Sequence, residues 1–202
     1  MKILNLRLKD DLKKEIGIKI DLGCGKNPYN GCYAVDHKEM EGVDVIADLN
    51  KPLHLFPDNC CEFIYSRMVF EHVNEFLPLM CEIHRILKPT GVIEIIVPHF
   101  SNVYGFSDPT HVRFFGLYSM NYFCSTDSQP KSRIVPSFYT DIRFEVKSIK
   151  IEFYKSGIID HLLAPIFFRA VNINLFTQDF YERRLSSLFH AQGIRFLLRV
   201  EK

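Results

Sequence analysis

Ile18-Lys19-Ile20-Asp21-Leu22-Gly23-Cys24-Gly25 decides how this chain is read. Apolar, β-branched residues lead up to an acid and the run stops on Gly-x-Gly. A strand beginning at about Ile16 therefore ends at Leu22 in a turn. Such a turn lets a ligand approach bare backbone that side chains would otherwise block. A dinucleotide fingerprint asks for a third glycine three residues on and an acid about 20 residues further along. Here the third position is Pro28, and the acid, Asp36, comes only 11 residues after Gly25. Pro28 and Gly31 leave no room for a full helix before Tyr33, which disfavours a pyrophosphate resting on a helix N-terminus. A ligand without phosphate, or with positive charge, fits this turn better.

Outward from the turn, residues 32–36, 43–48, 62–66 and 92–97 read as further strands, with a Pro-marked loop at 51–59. Val73, Phe76, Leu77, Met80, Ile83 and Leu87 recur at helical spacing, so a helix is expected there, its main part starting at Pro78. Lys88-Pro89-Thr90-Gly91 is expected to end it. Strand and connector alternate five times, the pattern of a doubly wound parallel sheet. The second half differs. It reads as a long loop at 98–113, a helix at about 114–124, a polar stretch at 125–137, strands at 144–153 and 194–200, and a helix at 178–190. No repeat or linker divides the chain. The expectation is one domain over 1–202, with a cofactor part at about 15–98, an acceptor-side part at about 99–193 and a final strand at 194–200.

The 202 residues carry a net charge of +1, so binding nucleic acid through bulk positive charge is disfavoured. The charge is split: residues 1–100 carry −3 and residues 101–202 carry +4. Six cysteines form no C-x-x-C pair, which suits free thiols in a reducing compartment. The opening MKILNLRLKDDLKKE lacks the apolar core of a signal peptide, and no run of about 18 apolar residues exists. A cytoplasmic protein is expected.

Three acids, Asp21, Asp36 and Asp48, fall at the carboxyl ends of three successive strands, where parallel α/β sheets bind ligands. A carboxylate on the second strand can hold two ribose hydroxyls, and one on the third can accept from an adenine amino group. A ligand with an ammonium, a sulfonium and no phosphate suits the three together, and S-adenosylmethionine is that ligand. The pieces DLGCG (21–25), AVDH (34–37), VIADLNKPLHLFPDN (45–59), FIYSRMVFEHV (63–73) and EIHRILKPTGVIEIIVP (82–98) resemble a class I S-adenosylmethionine-dependent methyltransferase of the type 11 methyltransferase group. They cover about 40% of the chain.

The resemblance implies a Rossmann-like α/β fold, a seven-stranded sheet ordered 3-2-1-4-5-7-6 with the last strand antiparallel, and a helical C-terminal insertion. It implies that Asp21, Gly23, Cys24 and Gly25 line the methionine part of the cofactor. It also implies that Asp36 binds the ribose with His37 beside the adenine, and that Asp48 and the Leu49 backbone read the adenine. Ser66 would offer its carbonyl to the amino group, and Met68 would wall the reactive methyl. Asn27 stands where the group often has another glycine, and Asn tolerates left-handed backbone. The short first crossover leaves the cofactor exposed on that side, or covered by the N-terminal 15 residues.

An oxygen or nitrogen acceptor can need a general base. Candidates are Glu71 and His72, expected at the start of the helix after the fourth strand, and His99 and His111 in the loop after the fifth. The structural alternatives are pocket capping for the first pair and surface hydrogen bonding for the second. Spacings of 9 and 3 residues between His99, Asp108 and His111 fix no geometry, so no metal site is expected. The aromatic motif of amino-methylating nucleic-acid enzymes is absent after the fourth strand, where Ser66-Arg67-Met68-Val69 stands. Residues 158–176 hold 13 apolar residues in 19. They read either as core helices over the sheet or as a contact with an apolar acceptor, a membrane surface or a second copy. The expected activity is methyl transfer, to oxygen, on a small-molecule, lipid-like or glycan acceptor, by a monomer or homodimer. A catalytically inactive partner subunit that binds the same cofactor is the alternative.

Overall fold

The computed structural model describes residues 1–202. One eight-stranded sheet runs through both halves of the chain. Its strands are β1 (Lys2–Ile3), β2 (Ile18–Leu22), β3 (Tyr33–Asp36), β4 (Val45–Ile46), β5 (Cys61–Arg67), β6 (Leu87–Pro98), β7 (Arg143–Phe153) and β8 (Ala191–Glu201). Spatially they run β1-β4-β3-β2-β5-β6-β8-β7. Without β1 this is the expected order 3-2-1-4-5-7-6, with β8 antiparallel to both neighbours. β1 is the eighth strand, pairing antiparallel with β4 at the edge. Ile20, Leu22, Val35, Ile64, Ile93, Ile95 and Val97 are fully buried or nearly so, as covered parallel strands require.

α1 (Leu6–Lys13) follows β1, and the Asn5 side chain caps it by accepting from the Arg7 N–H at 3.0 Å. Leu8 is 0% exposed in the core. The expected cover over the cofactor side is not formed. Leu4 and Asn5 N–H groups bond to the Asp44 carbonyl, and Tyr33 donates to Asp11 at 2.5 Å. These contacts hold residues 4–15 at the amino ends of β3 and β4, opposite the glycine turn.

β2 and β3 are joined without a helix, as Pro28 and Gly31 predict. The Tyr29 ring instead lies against Tyr65 of β5, centroids 4.2 Å apart. α2 (Phe76–Ile86) carries Pro78 in its first turn and buries Phe76, Leu79, Met80, Ile83 and Ile86. Leu77, expected on that face, points outward. The helix stops before Lys88-Pro89-Thr90-Gly91, but those residues extend β6 through an irregular register with β5.

The helix expected at 114–124 is a short 3-10 turn, Ser119–Phe123. The preceding backbone is committed elsewhere: Phe115 bridges His99, the Gly116 N–H donates to Ser119 Oγ, and the Leu117 N–H donates to Glu182. Residues 158–190 form α3 (Ile158–Val171) and α4 (Leu175–Arg184), so the last helix begins and ends earlier than 178–190. Asn172 ends α3 by bonding Ile151 of β7 through both its side-chain oxygen and nitrogen. Asn174 and Thr177 form a capping box that starts α4. Of α3 only Ala164 and Val171 are buried, while Ile158, Ile159, Leu162 and Ile166 are exposed. The core-helix reading of 158–176 therefore fails for most of its apolar residues. No helix is long and apolar enough to cross a membrane.

Candidate active site

Gly23 and Gly25 take left-handed backbone, φ +75° and +57°, just past β2. The N–H groups of Gly23 and Cys24 donate to the Val35 carbonyl at 2.8 and 3.2 Å, folding the turn onto β3. A Cβ on Gly23 would strike Val69 at 2.3 Å, so that position must be glycine. A Cβ on Gly25 would meet nothing within 4 Å, so the turn opens into empty space there. Asn27 is not left-handed; the later left-handed residue of this loop is Gly31.

Two strand-end acids organise the turn. Asp36, 7% exposed, accepts from the Gly25 N–H at 3.0 Å and the Lys38 N–H at 3.1 Å, with His37 Nδ1 3.0 Å from its other contact. Asp21, 3% exposed, accepts from the Tyr29 N–H at 2.8 Å. Burial raises the Asp21 carboxyl above its ordinary range, against that hydrogen bond, and the charge of Asp36 adds to the rise. The buried Cys24 thiol is pushed up to about 12, by burial first and then by Asp36 and Asp21. It is no thiolate at neutral pH.

A cavity of about 500 Å³ opens beside the turn, bordered by Gly23, Asp36, His37, Asp48, Leu49 and His72 among others. Asp48 is held below its ordinary range, first by the Asn50 N–H at 3.0 Å. Five expected cofactor residues, Asp21, Cys24, Gly25, Ser66 and Met68, are not on this wall. Ser66 is 1% exposed and donates its hydroxyl to the Leu22 carbonyl at 2.9 Å, joining the ends of β5 and β2. Met68 has φ +55°, left-handed backbone in a residue that rarely takes it, at the end of β5.

Glu71 and His72 sit in a 3-10 turn, Phe70–His72, rather than at the start of α2. There they meet His111. One carboxylate oxygen of Glu71 and one ring nitrogen of each histidine lie within 4.8 Å of one another, and the two rings meet edge to face. Glu71 is 1% exposed and its Oε2 has no hydrogen-bond partner. Burial pushes its carboxyl up to about 7. His111 Nδ1 is 2.8 Å from the Gly105 carbonyl, an acceptor, so Nδ1 carries the proton and Nε2 the lone pair. The Thr110 hydroxyl donates to Asp108 at 2.6 Å and therefore accepts from His72 Nδ1 at 2.8 Å, which leaves a lone pair on His72 Nε2 as well.

His99 stands outside this cluster. It is 1% exposed, with Nδ1 2.8 Å from Ser101 Oγ and Nε2 3.0 Å from Glu182 of α4. Both ring nitrogens are engaged, so the ring ties the end of β6 to α4. Next to it, Asn102 accepts from Tyr154 at 2.6 Å and from the Tyr104 N–H at 2.9 Å, and donates to the Gln192 carbonyl at 2.6 Å. These bonds frame a second cavity, about 310 Å³, whose apolar wall includes Tyr104, Phe153, Tyr154, Leu163, Phe167 and Phe189.

Sequence reading missed Thr110, Glu182 and Asn102. The Asp108-Pro109-Thr110-His111 run carried a usable signal, since Asp108 accepts from the Thr110 N–H at 2.8 Å in an Asx turn. Glu182 and Asn102 carried none, because their partners are about 80 to 90 residues away in sequence.

A family model described as a methyltransferase domain matches residues 20–95. Two solved structures share the fold. One is an S-adenosylmethionine-dependent methyltransferase from Archaeoglobus fulgidus, 18% identical, TM-score 0.50, covering 96% of this chain and 90% of that one. The other is the YcgJ protein from Bacillus subtilis, 14% identical, TM-score 0.53, covering 96% and 97%. No curated protein sequence matches.

Proposed function

Because residues 20–95 are a methyltransferase domain within a class I S-adenosylmethionine-dependent methyltransferase fold, we propose that this chain methylates an oxygen of a small-molecule, lipid-like or glycan acceptor. The observation that carries the reading is the open glycine turn, bonded to Asp36 at the rim of the cavity that Asp36 and Asp48 border. Bare backbone at Gly25 and a run of carboxylates without a paired arginine fit a cationic, phosphate-free cofactor. When bound, S-adenosylmethionine supplies an electrophilic methyl group on a sulfonium.

The chain's own residues divide the remaining work. Asp21, Gly23, Cys24 and Gly25 hold the methionine end, Asp36 the ribose, and His37, Asp48 and Leu49 the adenine. Ser66 presents its carbonyl to the amino group, and Met68 closes the methyl side. His72 and His111 offer Nε2 lone pairs as proton acceptors at the wall shared with the cofactor cavity. His99 positions the β6 end against α4. The apolar cavity beside α3 takes the apolar part of the acceptor, and the exposed face of α3 is the contact surface toward a lipid layer or a second copy. Positioning supplies much of the rate in such a displacement.

The test is formation of S-adenosylhomocysteine with a panel of hydroxyl acceptors differing in apolar length. Turnover that rises with apolar length and falls on Leu163→Asp supports the reading. Cofactor binding with no turnover on any acceptor class favours the inactive partner-subunit alternative.

A further inference from the structure

We propose that Glu71, His72 and His111 form a three-ligand site for a divalent transition-metal ion of the zinc class, at the rim of the cofactor cavity. The three donor atoms already lie within 4.8 Å of one another, brought from the turn after β5 and the loop after β6. Glu71 Oε2 is buried with no hydrogen-bond donor, and an orphaned buried carboxylate oxygen asks for a cation or an ordered water.

The histidines are prepared from outside the cluster. Metal-bound imidazoles characteristically donate their other N–H to a carbonyl, a carboxylate or a similar acceptor, which fixes the tautomer. His111 does so to the Gly105 carbonyl and His72 to Thr110, itself hydrogen-bonded to Asp108. Asp108 Oδ2 also lies 3.8 Å from His111 Nε2, so a second carboxylate borders the ion. Two imidazoles with one carboxylate select zinc-class ions over magnesium or calcium, which prefer all-oxygen sets. Three protein ligands leave coordination open to water or an acceptor oxygen. The inference rests on the placement of these side chains beside the cofactor cavity and does not require methyl transfer. The ion would occupy the same lone pairs that otherwise accept a proton.

The test is metal binding read directly, with neither cofactor nor acceptor present. Chelator-stripped protein is titrated calorimetrically with Zn²⁺, and separately with Mg²⁺. The expected result is one Zn²⁺ equivalent, weakened more than about tenfold in His111→Ala and in His72→Ala, with folding checked by circular dichroism. Because the six cysteines are free thiols, Co²⁺ serves as a second probe on the unmodified protein. Its spectrum is expected to lack a thiolate-to-metal band. Electron paramagnetic resonance of bound Cu²⁺ is expected to report two nitrogen ligands, which needs no variant. No Zn²⁺ equivalent, an affinity unchanged by both histidine substitutions, a thiolate band, or preference for Mg²⁺ would each overturn the proposal. Loss of methyl transfer with zinc binding intact would count against the proposed function and leave this site standing.

Discussion

The Gly25 N–H donates to Asp36 Oδ2 at 3.0 Å, so the ends of β2 and β3 build the cofactor turn together. A side chain at Gly25 has space around it but the wrong backbone, since φ is +57°. Gly25→Ala is expected to cost about 1 kcal/mol of stability, the penalty of left-handed backbone. Its effect on cofactor affinity is expected to be larger, because the new methyl occupies the cradle. Chemical denaturation and calorimetry on the same variant compare the two. A stability loss with unchanged cofactor affinity would move the cradle elsewhere.

Leu8 tests the place of the N-terminal helix. It is fully buried, and α1 lies at the strand ends away from the glycine turn. Leu8→Ala should destabilise the fold by about 2–5 kcal/mol through the cavity it leaves. Cofactor affinity, measured below the shifted melting temperature, should stay within about twofold of the parent, well under the tenfold that 1.4 kcal/mol represents. A selective loss of affinity would restore the idea that this segment covers the cofactor.

Arg85 anchors α2 to the loop before β5. It donates to both oxygens of Glu82 at 2.8 Å, to Asp58 at 2.7 Å and to the Phe56 carbonyl at 2.9 Å. Lysine cannot reproduce that fork, and Arg85→Lys should cost about 2 kcal/mol. The hydrogen bond from Arg85 is the main reason the Glu82 carboxyl sits below its ordinary range. A depressed folded pKa gives stability that is present above the unfolded value, about 4.3, and lost as pH falls through the folded one. The parent should therefore lose stability more steeply than Arg85→Lys below about pH 4.3. Parallel denaturation curves at neutral and acid pH would contradict this.

Met68 holds left-handed backbone where β5 ends. Met68→Gly and Met68→Ala lose nearly the same side chain, but only alanine keeps the steric penalty. The glycine variant should be the more stable by about 1 kcal/mol in urea unfolding. Alanine equal to or better than glycine would show that the backbone relaxes there.

Much of the sheet was legible in the sequence because its strands are short apolar runs cut by glycine, proline and acids. The Ile18–Gly25 run, the helix-free crossover at Pro28 and Gly31, and the order of the central strands all follow from local pattern or from the resemblance it carries. β1 was not legible: two residues have no period, and only their pairing with Val45 and Ile46 makes them a strand. The helix expected at 114–124 failed because Phe115 and Leu117 take partners from distant elements. Glu71, His72 and His111 could each be singled out, but their meeting depends on Val112 bonding back to the Glu71 carbonyl at 2.8 Å. His99 had the same residue type and the same loop, yet its partner Glu182 comes from α4 and locks it.

The most direct test of the account is calorimetric titration of the parent protein and Asp36→Ala with S-adenosylmethionine, and with NAD as a control. The account predicts one equivalent of S-adenosylmethionine, no NAD binding, and an affinity at least about tenfold weaker in Asp36→Ala, matching the roughly 1.5–3 kcal/mol of a hydrogen bond to a charged group. No binding of S-adenosylmethionine by the folded parent, or binding that Asp36→Ala leaves unchanged, would contradict it.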